Sequence, residues 1–280
     1  MFSGHGYIFY DGAMGTMLQK RGLKPGERPD IMNITAPDTV ESVHRMYVEA
    51  GSDIICANTF GSNAAGLRGT GYSPDEVIAA AVAIARRACG GVAKVALDIG
   101  PTGALIEPMG DLEYGAAYGM FREQAIAGEK AGADFAAIET MSDITELKAA
   151  ILAVKENTCL PVLATMTFDK SGRTFMGCLP ESFAETAEGL GAAAVGLNCS
   201  LEPAEMYQTA ERIAKATALP LIVKPNAGLP DSVTGEYSIG PEEFARQMAA
   251  FAKIGVRIVG GCCGTTPEYI KELRKTFSVL

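Results

Sequence analysis

The chain has 280 residues, 48% of them hydrophobic, enough length and apolar content for one large core or two small ones. A formal charge of −9 excludes the basic surface that nucleic acid or an anionic membrane demands of a partner. Seven cysteines, an odd count with no secretory leader over residues 1–10 and no apolar run near the ~20 residues that span a bilayer, point to reduced thiols in a cytoplasm.

Taken in chain order, short β-rich apolar runs alternate with segments of helical period. YIFYDG (7–12) comes first, then a helical pattern at 39–50 and DIICANTF (53–60). A helix at 74–89 leads to KVALDIG (94–100), and one at 114–131 to FAAIETM (135–141). Helical patterns at 144–156 and 181–190 precede PVLATMTF (161–168) and AAVGLNCS (193–200). Those at 203–217 and 241–254 precede PLIVKPN (220–226) and VRIVGGCC (256–263), and a last helix covers 267–277. Several helices open on proline or just after Ser, Thr or Asp, and glycine turns announce several strands.

Eight alternations without a composition break predict a single (β/α)8 TIM barrel over 1–280. An open doubly wound sheet is the competitor, but no G-x-G-x-x-G follows the first strand.

In such a barrel, chemistry sits at the C-terminal ends of the strands. Those ends carry Asp11, Asn58 and Thr59, Asp98, Glu139, Asn198 and Cys199, Lys224 and Asn226, and Cys262 with Cys263. Consecutive Cα atoms lie ~3.8 Å apart, below the ~4.4–6.8 Å usual for a disulfide, so Cys262 and Cys263 are poor disulfide partners. Cys199 is expected to face both across the mouth, and three thiolates with one open position make a catalytic zinc pattern. Gly260, Gly261 and Gly264 are expected to let the backbone turn sharply there.

For Cys56, Cys89, Cys159 and Cys178 the plainer reading, small hydrophobes in a strand, on a helix, before a strand and in a loop, is preferred. His44 within a helix and His5 near the terminus are read as structural. Asp11 and Glu139 end apolar runs, where a carboxylate needs a partner. They suit a substrate ammonium, or else form structural ion pairs. Lys224 could form a Schiff base, which leaves the three thiols unexplained. The Gly260–Gly261 turn could cradle a phosphate, but the acidic mouth repels one.

The segments DGAMGTML, ANTFGSN, IETMSDITELKAA, GLNCS, KPNAGLP and VGGCCGTTPEYI resemble the zinc-dependent homocysteine S-methyltransferases, and most closely the homocysteine module of the cobalamin-dependent enzymes. That resemblance covers about Asp11 to Ile270. It implies Zn2+ held by Cys199, Cys262 and Cys263, with L-homocysteine near Asp11, the backbone of Gly12 and Ala13, Thr59 and Glu139. It further implies a thiol ionised by the metal and methylated in line. The donor it implies is methylcobalamin, carried by a separate corrinoid protein or domain because the sequence contains no D-x-H-x-x-G. S-methylmethionine or betaine as donor, and a zinc or thiol-binding module without catalysis, are the alternatives.

Overall fold

The computed structural model describes residues 6–24, 26–231 and 234–280, so His5 lies outside the described residues. Eight strands appear: β1 (Ile8–Phe9), β2 (Ile54–Cys56), β3 (Lys94–Ile99), β4 (Phe135–Met141), β5 (Val162–Met166), β6 (Ala194–Asn198), β7 (Leu221–Lys224) and β8 (Val256–Val259). All pair in parallel in the order β1-β8-β7-β6-β5-β4-β3-β2. The ring closes between β1 and β2, where Asp53 N–H reaches Phe9 O at 2.7 Å and Asp11 N–H reaches Ile54 O at 3.1 Å. This is a (β/α)8 TIM barrel.

Two short helices, α1 (Met14–Gln19) and α2 (Met32–Thr35), precede the outer ring. The ring consists of α3 (Pro37–Ala50), α4 (Pro74–Cys89), α5 (Tyr114–Ala131), α6 (Ile144–Asn157), α7 (Pro180–Gly189), α8 (Pro203–Ala216), α9 (Pro241–Met248) and α10 (Pro267–Phe277). Proline stands in the first turn of α3, α4, α7, α8, α9 and α10, where its missing N–H leaves no acceptor unsatisfied. Ser73 closes a capping box with Glu76 on α4, and Asp143 caps α6 through Thr145 N–H. The helix predicted over 241–254 divides. Its second half, Ala249–Ile254, winds as a 3-10 helix, the tighter turn common at helix ends, and stops at Gly255 with φ 79°.

The larger core lies between sheet and helices, and a smaller one fills the barrel. The inner core is built from Tyr10, Ile54, Cys56, Ala96, Phe135, Ala137, Leu163, Ala194, Ile222 and Ile258. Two residues farther along, the same alternation puts Asp98, Glu139, Thr165, Lys224 and Gly260 on the inner side, and Asn198 stands two beyond Gly196. The barrel is therefore apolar below and polar at its mouth.

Gly196 shows how tightly the inner layer packs: a Cβ there would fall 1.9 Å from Ile222 O. Gly196→Ala is expected to cost about 3 kcal/mol or more in urea unfolding. Gly119 is exposed in the middle of α5, with nothing within 4 Å of a built Cβ. Gly119→Ala is expected to have the opposite sign, gaining about 0.5–1 kcal/mol.

Candidate active site

Cys199 follows β6 directly, and Cys262 and Cys263 follow β8. Their three sulfurs lie within 4.8 Å of one another, with Cys199 Sγ and Cys263 Sγ 3.8 Å apart. Three thiolates at about 2.3 Å from one tetrahedral zinc stand about 3.8 Å apart, so the set fits such an ion.

Backbone strain aims these thiols. Cys199 and Ser200 both adopt left-handed φ, 63° and 60°, unusual for residues with a Cβ. Cys199 N–H donates to Lys224 O at 3.0 Å and Leu201 N–H to Cys199 O at 2.7 Å, which holds the turn. Cys262 N–H binds Pro225 O at 2.8 Å, and Ala227 N–H binds Cys263 O at 2.9 Å. Of the three glycines here only Gly264 needs a left-handed φ, 84°. Gly260 and Gly261 serve close approach instead, since a Cβ would fall 2.6 Å from Tyr10 Cβ or 2.2 Å from Thr265 Oγ1.

The charge on the cluster is unevenly shared. Hydrogen bonds from Cys262 and Cys263 hold the Cys199 thiol down at about 3. Donating to Cys199 pushes Cys263 up to about 12 and Cys262 well above the ordinary thiol value. Asn198 supports the trio: Nδ2 faces Cys262 Sγ at 3.8 Å and Thr140 Oγ1 at 2.8 Å, while Oδ1 accepts from Thr140 N–H and Thr165 Oγ1.

A cavity of about 430 Å³ opens beside the thiols. Asp11, Gly12, Ala13, Glu139 and the three cysteines line it, as do Asn58, Asp98 and Lys224. Glu139 is ion-paired with Lys224, whose Nζ also stands 4.4 Å from the centre of the Tyr10 ring. Burial opposes the lysine charge, yet the surrounding acids, Glu139 foremost, hold its pKa well above normal. Burial raises Asp11 to about 7, although Lys224 and the Cys56 N–H, 2.9 Å from Oδ2, pull the other way.

Two expected contacts are otherwise engaged. Thr59 does not line the cavity; its Oγ1 donates to Asp98 O at 2.8 Å and accepts Asp98 N–H at 3.0 Å. Ala13 N–H is directed at Thr265, 3.2 Å from Oγ1. Asn58 ties the cavity wall, its Nδ2 donating to Pro29 O at 2.7 Å. Asn226 is buried and does not line the cavity, and its Oδ1 has no partner among the described residues, while its side chain reaches the Cys199 thiol. Cys56, read as a packing residue, is buried but lines the cavity, whereas Cys159 is exposed. Cys89 is buried on α4, Cys178 half-buried in its loop, and His44 fully buried on α3. Met14, Thr16, Asp30, Phe60 and Thr140 also line the cavity without having been singled out in the sequence. No periodic signal marks them.

A family model described as homocysteine S-methyltransferase matches residues 8–277. The methionine synthases of Mycobacterium leprae and Mycobacterium tuberculosis are 34% and 35% identical over 94% of this chain. The chain spans 24% of the length of each of these curated relatives. In fold it is similar to the metallated homocysteine methyltransferase MmuM of Escherichia coli, with a TM-score of 0.84 and 23% identity over 97% of this chain and 96% of that one. The pyruvate carboxylase of Rhizobium etli shares the fold more distantly, with a TM-score of 0.55 and 14% identity over 98% of this chain and 27% of that one.

Metal titration tests the thiol cluster. Cys199→Ser, Cys262→Ser and Cys263→Ser should each lose most bound zinc, and Cys89→Ser should keep it. Because mutual hydrogen bonding and burial hold Cys262 and Cys263 in the thiol form above the ordinary range, zinc uptake near pH 7 should release protons, measured in buffers of different ionisation enthalpy. Full zinc retention by the Cys262 variant would contradict the assignment.

Proposed function

The chain belongs to the homocysteine S-methyltransferase family, and from that premise we propose that it transfers a methyl group to the thiol of L-homocysteine, giving methionine. The observation that carries this reading is the convergence of Cys199, Cys262 and Cys263 beside a cavity lined with buried acids. Zinc held by those three cysteines would supply a positive centre that keeps a fourth sulfur ionised at neutral pH.

The remaining work belongs to the protein's own residues. Glu139 and Asp11 offer carboxyl oxygens to the substrate ammonium, and Gly12 and Ala13 shape the wall against which the amino acid rests. Lys224 keeps Glu139 in place. Asn198 orients Cys262 and ties it to Thr140 and Thr165. Holding nucleophile and methyl donor in line is where such a site gains most of its rate.

As donor we propose methylcobalamin on a corrinoid protein or domain, because the motifs resemble the cobalamin-dependent branch and the relatives named methionine synthase are about four times as long. Seven free cysteines suit a reducing compartment, the cytoplasm. No helix among the described residues is long and apolar enough to cross a membrane.

The donor is tested by following methionine formation from homocysteine with methylcobalamin, S-methylmethionine or betaine. Turnover is expected with the methyl-corrinoid; turnover with S-methylmethionine alone would reassign the donor and keep the homocysteine chemistry. Glu139 is tested against its ion pair. Glu139→Ala should abolish tight homocysteine binding with zinc retained, and should also cost about 3–5 kcal/mol because Lys224 is left buried and unpaired. Adding Lys224→Met should restore stability and leave binding lost.

A further inference from the structure

Asp98 lies near the end of β3, two residues above Ala96 of the inner core, and it lines the cavity. Its backbone is fixed on both sides by Thr59 Oγ1. Its carboxyl is not. The residue is 9% exposed, and Oδ1 is enclosed with no hydrogen-bond partner among the described residues. An enclosed carboxyl oxygen without a donor weakens a fold, so stability does not account for this side chain.

The neighbouring acids differ. Glu139 is paired with Lys224, Asp11 Oδ2 accepts the Cys56 N–H, and Asp30 Oδ1 accepts Gly61 N–H at 3.0 Å and Ser62 Oγ at 2.7 Å. Among the described residues Lys224 is the single buried cation lining the cavity, and Glu139 already holds it. A ligand that brings its own ammonium supplies what the set lacks. An ammonium has three N–H donors and can bridge two carboxylates.

We propose that Asp98 is a substrate-contact residue that receives the α-ammonium alongside Glu139, and that it thereby selects amino-acid thiols over thiols without the amine. The proposal rests on the reading of the cavity as a homocysteine site. In this structure burial first, then the Glu139 carboxylate, push the Asp98 carboxyl well above the ordinary range. An adjacent ammonium favours the ionised form and strengthens the hydrogen bond it accepts.

The test compares two ligands by calorimetry on the zinc-loaded protein. They are L-homocysteine and 4-mercaptobutanoate, which has the same thiol and carboxylate and no amine. Asp98→Asn, and Asp98→Ser as a second variant that fits the same space, should bind homocysteine about 10- to 100-fold more weakly than wild type. Both should bind 4-mercaptobutanoate within about twofold of wild type, since the lost contact is to the amine. Zinc content and Tm of at least one variant should match wild type. Unchanged homocysteine affinity, or an equal loss for both ligands in a variant that keeps zinc and Tm, overturns the proposal. Wild-type protein that fails to bind homocysteine overturns the functional reading instead, so the two failures are distinguishable.

Discussion

Glu139 on β4 and Lys224 on β7 meet across the mouth of the barrel, and the rest of the site is arranged around that pair. A buried ion pair adds little net stability, but it fixes two strand ends relative to each other because neither charge tolerates isolation. The Tyr10 ring beside Lys224 gives the ammonium a third neighbour without another formal charge. Between these strands in the sheet, β6 contributes Asn198, an amide rather than an ion. It spends its hydrogen bonds on Thr140, Thr165 and a sulfur, so the electrostatic balance set by the pair is undisturbed.

The barrel was legible in the sequence because eight apolar runs and eight helical periods alternate, and six ring helices carry proline in the first turn. The thiol trio was legible because strand ends converge in any closed parallel sheet, whatever their separation along the chain. Pairings were not. Lys224 could be placed at the mouth, but nothing in the alternation says that Glu139, three strands away, takes its charge. Helices α1 and α2 have six and four residues, too few to show a period. They lie in the segment joining β1 to α3, the same segment that carries Met14, Thr16 and Asp30 into the wall. Thr59 illustrates the opposite difficulty: its position near the mouth was evident, but its hydroxyl is taken by the backbone of β3.

Strain concentrates where the sulfurs are. Cys199, Ser200 and Thr140 are the non-glycine residues of the described chain with left-handed φ, and two of them touch Asn198 or the thiol trio directly. A β-branched residue at φ 63°, as at Thr140, is costly unless its surroundings fix it. Here the Asn198 side chain does so, accepting the Thr140 N–H and donating to its hydroxyl. The same amide thus secures the bend after Glu139 and faces the Cys262 sulfur.

The pairing of the first strand with the last has a consequence for the order in which the molecule comes into being. Strand β1 pairs with β8, Ile8 against Ile258, and on its other side α10 ties β1 to the start of β2 through Arg274, which binds Asp53 at 2.6 Å and stacks on Phe9. A nascent chain cannot close this ring until residues 256–277 have left the ribosome, so its first strand waits for its last with one edge bare. The two adjacent thiols arrive in that same segment. Cys199 stands alone until then, and the sheet and the thiol trio are completed by one stretch of translation.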